Sequence, residues 1–156
     1  MINTASGAKI SIGPTTPAGT EAEYSALTYV EIGEVENLGE FGDQSNDVTF
    51  TSLKDSRVRH LKGARDAGVL ALVVGRDSKD AGQVALKAAE KTKHAYAFKI
   101  EAADAEDASD PNSVYYFHAL VQSARENFGE ADNVVRTTFN LGIATGIIEV
   151  PTVATP

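Results

Sequence analysis

Most of the apolar residues of this chain recur with the two-residue period of a strand that has one buried face. In DVTFTSL, Val48 and Phe50 face one way and Thr49 and Thr51 the other. HAYAFKIE sets Tyr96, Phe98 and Ile100 against Ala97, Lys99 and Glu101, and NVVRTTFNLGI sets Val135, Phe139 and Leu141 against Arg136, Thr138 and Asn140. VYYFHALVQSARENF is long and apolar, but Val114, Tyr115, Tyr116, Phe117 and Val121 are β-branched or aromatic and favour strand. GVLALVVG is apolar on both faces and reads as a central strand deep in the core. LTYVEIGEVENL puts Val30 and Ile32 on one face and then shifts phase at Gly33, so that Val35 points with Tyr29. A bulged strand accounts for the shift, and it is expected to form an antiparallel hairpin with DVTFTSL. ATGIIEVPTVATP adds one short strand.

One segment follows the helical period instead. Asp80 with Gln83 three residues later has the spacing of a capping box, and Ala81, Val84, Ala85, Ala88 and Ala89 form an apolar stripe. A helix over about 80–92 is predicted, and its alanines imply that it lies close against a sheet. Strand runs separated by a single helix do not make βαβ units. The expected fold is therefore an all-β sandwich or barrel with one flanking α-helix, the alternative being a small α+β sheet domain. Residues 1–24, rich in Gly, Pro, Ser and Thr, read as an extended N-terminal arm, 25–150 as the domain and 151–156 as a tail.

Between two strand-like segments lies TSLKDSRVRHLKGARDAG, Thr51–Gly68, which carries Lys54, Asp55, Arg57, Arg59, Lys62, Arg65 and Asp66 but only Leu53, Val58 and Leu61 to bury. It reads as a loop. Loops beyond about 12 residues are usually functional or disordered, so this one is expected to lie against another protein.

Composition narrows the function classes. The 156 residues favour one domain, 42% hydrophobic content is ordinary, and no run approaches the ~18 apolar residues of a membrane span. The N-terminus lacks the basic start and apolar centre of a secretory signal, so the chain is expected to fold where it is made. It has no cysteine, which removes thiolate and disulfide chemistry. A net charge of −8 argues against ordinary nucleic-acid binding but suits a surface that DNA must slide past.

Catalytic patterns are absent. His60, His94 and His118 lie far apart in sequence, with no metal-like spacing, and each reads as structural. No G-x-S-x-G elbow occurs, and Gly33, Gly39, Gly42, Gly75 and Gly82 match neither a dinucleotide fingerprint nor a phosphate loop. Asp104, Glu106, Asp107 and Asp110 cluster, but the central Gly and distal Glu of a calcium loop are missing. No cofactor or metal is expected.

The segment YVEIGEVENLGEFGDQSNDVTFTSLKDSRVRHLKGARDAGVLALVVGRDSKDAGQVAL, followed by YAFKI and the later strands, resembles the major tail tube proteins of long, non-contractile-tailed bacteriophages. The resemblance covers about residues 25–145. It rests on the order and spacing of Gly33, Leu38, Thr51, Leu53 with Asp55, Gly63, Arg65 with Asp66, Gly68, Asp80, Gly82, Gln83 and Leu86.

The resemblance implies a structural, non-catalytic virion protein that forms hexameric rings stacked into the hollow tail tube through which the genome passes. It would assemble in the host cytoplasm and meet tape-measure, tail terminator and distal tail proteins, with no membrane partner. By the same resemblance, the long loop clasps neighbouring subunits and rings, which assigns Lys54, Asp55, Arg57, Arg59, Lys62, Arg65 and Asp66 to subunit contacts. One sheet would line the channel, with Glu34, Glu36, Thr49, Thr51, Thr138 and Asn140 as candidates for the lumen. Arg136 fits such a wall only if a carboxylate pairs with it. The alternatives are a ring-forming secretion tube protein, a tail terminator or connector, and, more remotely, a monomeric β-barrel binding module.

Overall fold

Strand pairing converts the alternating segments into one curled sheet. The computed structural model describes residues 2–152 and contains β1 (Lys9–Ile12), α1 (Glu21–Ser25), β2 (Val30–Glu31), β3 (Val35–Asn37), β4 (Gln44–Thr51), β5 (Val58–Asp66), β6 (Val69–Gly75), α2 (Ala81–Glu90), β7 (Tyr96–Glu101), β8 (Val114–Asn127), β9 (Arg136–Ile143) and β10 (Ile148–Val150). Eight strands pair antiparallel in the order β2-β1-β7-β8-β9-β6-β3, with β10 beside β8, while β4 and β5 form a separate two-stranded sheet.

The two edge strands of the large sheet, β2 and β3, are neighbours in sequence. Only Ile32, Gly33 and Glu34 separate them, and four residue steps reach at most about 14 Å. The sheet must therefore curl until its edges nearly meet. Its concave face encloses the core, built from Ile10, Ile12, Ile32, Leu70, Leu72, Val74, Phe98, Ile100, Phe117, Phe139 and Leu141, with Leu86 and Ala89 of α2 packed in. The result is an all-β fold with α2 as its flanking helix, and one additional short helix, α1.

The seam is fastened by α2. Asp80 caps the helix by accepting the Gln83 amide at 3.0 Å and also accepts the Gly33 amide at 3.1 Å. The buried Gln83 side chain donates to the carbonyls of Gly33 and Gly75 and accepts from the Asp77 amide. The capping reading is half right, because Asp80 caps while Gln83 reaches across to the seam rather than back to residue 80. The buried face of α2 is Gly82, Gln83, Leu86 and Ala89, whereas Ala81, Val84 and Ala88 of the expected stripe are exposed. Closeness to the sheet comes from Gly82, where an added Cβ would lie 2.4 Å from the Glu31 carbonyl oxygen.

Four other expectations are corrected. LTYVEIGEVENL is not one bulged strand paired with DVTFTSL, because the chain leaves one sheet edge at Gly33 and joins the other, with Glu34 at a φ of 58°. Residues 9–12 of the presumed arm belong to the core, since β1 pairs β7 and buries Ile10 and Ile12 against Ile100 and Phe98. β6 is buried on one face only, with Leu70, Leu72 and Val74 inside and Val69 and Ala71 exposed. Of the loop expected at Thr51–Gly68, Val58–Asp66 is a strand, β5, paired with β4, and residues 52–57 are the turn between them. The tail expected at 151–156 lies, beyond Thr152, outside the described residues.

The convex face of the sheet is only half covered. Over β7 and the first half of β8, residues 13–29 fold back, stacking Tyr24 on Tyr116 at 5.4 Å between ring centroids. The Thr16 carbonyl must accept from Nε2 of His118, at 2.9 Å, which leaves Nδ1 to accept from the Tyr24 hydroxyl at 2.7 Å. His118 is thus structural, as its isolation in the sequence implied. Burial pushes the Tyr24 and Tyr29 phenols above their ordinary range.

Candidate assembly surfaces

The β4–β5 hairpin has no core of its own. Register places Val48 opposite Leu61 and Phe50 opposite Arg59 on one face, and Asp47 opposite Lys62, Thr49 opposite His60 and Thr51 opposite Val58 on the other. Val48 and Phe50, expected to be buried, are exposed, as are Leu61, Val58 and, at the tip, Leu53. Gly63 lets the two strands close, since a Cβ there would meet Val48 Cγ2 at 2.8 Å.

Internal hydrogen bonds shape the tip. The Ser56 amide donates to the Ser52 carbonyl at 2.8 Å, and Asp55 accepts from the Arg57 amide at 3.0 Å and from the Arg59 guanidinium at 2.8 Å. At the base Arg65 pairs with Asp43 at 2.9 Å, and Asp66 accepts the Gly68 amide at 2.9 Å. Lys54, Arg57 and Lys62 have no ion-pair partner among the described residues. Five of the chain's 14 basic residues lie between Lys54 and Arg65, with one carboxylate, Asp55, among them. This is a basic, apolar-tipped projection from an acidic protein.

The structure thus gathers all seven loop candidates onto one hairpin but spreads them along its length. Sequence reading missed Val48 and Phe50 as surface residues, because their alternation with threonine is the signal of a buried face. Exposure on both sides is visible only once β5 is found to be their partner and nothing lies over them.

The lumen candidates divide. Glu36, Thr138 and Asn140 share the uncovered half of the convex face, where Thr138 lies opposite Val73 and Arg125, and Asn140 opposite Ala71 and Ser123. Arg136 sits on the same face and is paired with the Glu36 carboxylate, the condition under which it fits a channel wall. Glu34 lies at the seam turn beside Gly75. Thr49 and Thr51 are on the hairpin, apart from the others. Of the acidic cluster, Asp104 accepts the amide and hydroxyl of Ser113, which hold its carboxyl below the usual range, and Asp107 accepts the Ser109 amide.

The ends of the sheet differ. The hairpin leaves at the start of β6, where Val69 lies opposite Gly142. Six residues later, about 20 Å away at ~3.3 Å per residue, Gly75 lies opposite Arg136, which lies opposite Asn127. The β8–β9 turn that follows, Phe128–Val135, leaves Phe128 and Val134 57% and 62% exposed, with Glu130 and Asp132 also exposed beside them.

Comparison with known proteins adds to this geometry. The family described as phage tail tube protein (TTP) matches residues 3–139. No curated protein matches the sequence. Among solved structures, a chain of the six-fold symmetrised anti-feeding prophage baseplate superposes with a TM-score of 0.70 at 12% identity, over 97% of this chain and 98% of that one. The SPP1 tail tube protein gives 0.60 at 15% identity, over 91% and 75%. A chain of the PVC sheath/tube terminator, in the extended state of that extracellular contractile injection system, gives 0.66 at 10% identity, over 96% and 97%. At such identities these likenesses speak for the fold alone.

Proposed function

Because the chain belongs to the phage tail tube protein family, a family of structural rather than catalytic proteins, we propose that it forms hexameric rings stacked into a hollow tail tube for genome passage. The observation that carries this reading is the β4–β5 hairpin, which exposes Val48, Phe50, Leu53, Val58 and Leu61 and has two unpaired strand edges. An exposed hairpin of this kind is an aggregation hazard unless neighbours cover it. A tube supplies neighbours on every side. Six copies per ring is supported by the six-fold symmetrised baseplate to which the similar chain belongs. The protein would assemble in the host cytoplasm and meet tape-measure, terminator and distal tail proteins at the tube ends.

Lys54, Asp55, Arg57, Arg59, Lys62, Arg65 and Asp66 are the proposed subunit contacts. The wall of the channel would be the uncovered convex face carrying Glu36, Thr138 and Asn140. Glu36 and Arg136 neutralise one another there, which leaves Arg125, exposed opposite Thr138, as the one further charge among the described residues of a face otherwise made of small polar and apolar side chains. Glu34 would lie at the rim. Thr49 and Thr51 face the lumen only if one hairpin face joins the wall.

The likeness to a sheath/tube terminator favours a second reading, a single capping ring. Negative-stain microscopy of concentrated protein separates the two. Hollow tubes of uniform width and open-ended length support the tube, isolated rings support the cap, and a protein that stays monomeric at all concentrations would falsify both.

A further inference from the structure

We propose that the β8–β9 turn, Phe128–Val135, receives the β4–β5 hairpin tip of the next copy along the stack. This inference rests on the tube reading above and assigns a surface that the reading leaves open. Three observations carry it. The hairpin springs from one end of the sheet and the turn closes the other, so copies stacked end to end would bring the hairpin of one to the turn of the next. Their apolar groups match, because Phe128 and Val134 are exposed in the turn and Leu53, Val58 and Phe50 near the tip. Their charges are opposite. The turn carries Glu130 and Asp132 and no basic residue, while the tip carries Lys54 and Arg57, and none of the four has an ion-pair partner among the described residues.

The turn is also set to receive a partner. The Arg76 guanidinium carbon lies 6.0 Å from the centre of the Phe128 ring, a cation–π distance that orients the ring without covering it. Arg76 is itself held by Glu126 at 3.4 Å. Leu53 and Phe50 would pack on Phe128 and Val134 while Lys54 and Arg57 reach Glu130 and Asp132. A contact between two different surfaces of the same protein does not close on itself when the copies are related by translation along an axis. Each added copy presents a fresh hairpin or a fresh turn, so the stack has no intrinsic length limit.

The test is charge reversal with rescue. Glu130→Lys/Asp132→Lys and, separately, Lys54→Glu/Arg57→Glu are compared with the combined quadruple variant by sedimentation and negative stain. Glu106→Lys/Asp107→Lys serves as a control that changes net charge elsewhere by the same amount as the turn pair. Each reversed pair is expected to raise the concentration needed for tubes about tenfold, the quadruple variant to recover most of that loss, and the control to assemble as the unmodified protein does. Circular dichroism checks that the exposed turn tolerates the change. Normal tubes from Glu130→Lys/Asp132→Lys, or a quadruple variant no better than its parents, would overturn this contact while leaving the tube reading intact. Unmodified protein that never forms tubes would overturn the tube reading and this contact with it.

Discussion

The Asp80 carboxylate accepts the Gly33 amide at 3.1 Å across 47 residues of sequence, while the same carboxylate caps α2. One side chain thereby fixes both the start of the only long helix among the described residues and the point where the chain crosses from one sheet edge to the other. Asp80→Ala loses a cap, which costs about 1 kcal/mol, and strands a part-buried amide, for a total of roughly 2–3 kcal/mol in chemical denaturation. A loss under ~0.5 kcal/mol would mean that the seam is held by other contacts.

Gly82 gives a prediction opposite to helix propensity. Alanine is favoured over glycine in a helix by about 1 kcal/mol, yet a Cβ here would lie 2.4 Å from the Glu31 carbonyl oxygen and 2.5 Å from Ile32 Cα. Gly82→Ala should therefore lower the Tm, because backbone on both sides must move. Gly19→Ala, where nothing lies within 4 Å of the added carbon, should leave the Tm unchanged or raise it slightly.

Hairpin substitutions should separate folding from assembly. Phe50 is exposed, and Arg65 makes only an exposed ion pair at the hairpin base, so Phe50→Ser and Arg65→Glu are each expected to change stability by less than about 0.5 kcal/mol. Tube yield should nevertheless collapse in both. Tubes that form normally from Arg65→Glu protein would remove that residue from the contact.

Replacement of Thr138 and Asn140 by lysine tests the channel face. Tubes of the double variant should retain double-stranded DNA in a gel-shift or co-sedimentation assay, in a manner lost at high salt, while unmodified tubes release it. Equal release by both would place these residues away from the lumen.

Acid should weaken the packing of α2 on β8. The hydrogen bond from the Lys87 ammonium, followed by the charges of Lys87 and Arg76, holds the Glu126 carboxyl below its ordinary value of 4.5. A group depressed on folding contributes stability that is fully present above its unfolded pKa and lost as pH falls through the folded one. Denaturation midpoints should thus decline below pH 4.5, and the decline should be shallower in Lys87→Met. An unchanged slope in that variant would assign the acid sensitivity to other carboxylates.

Periodicity alone located most of the sheet. β7 and β9 alternate an apolar with a polar face, the β-branched and aromatic residues of β8 marked it as strand, and Asp80 marked the start of α2, because one-sided burial and helix capping write themselves into local sequence. The resemblance in Gly33, Asp80, Gly82 and Gln83 was also legible, although the reason these residues go together was not. β5 was invisible. VRHLKGARD has no period because neither face of the hairpin is buried, and a strand held by its backbone ladder alone leaves no hydrophobic trace.

Sequence by itself determined the β class, the helix position, the absence of recognisable catalytic motifs and the basic segment after Thr51, all of which depend on residues near one another in the chain. Tertiary structure alone decided that β2 and β3 sit at opposite edges of one curled sheet, that Val48 and Phe50 face solvent, and that the β4–β5 hairpin and the β8–β9 turn leave the sheet at opposite ends. Those facts depend on which strand pairs with which. Pairing is a contest between distant segments, settled by the closure of a shared core that no local pattern records.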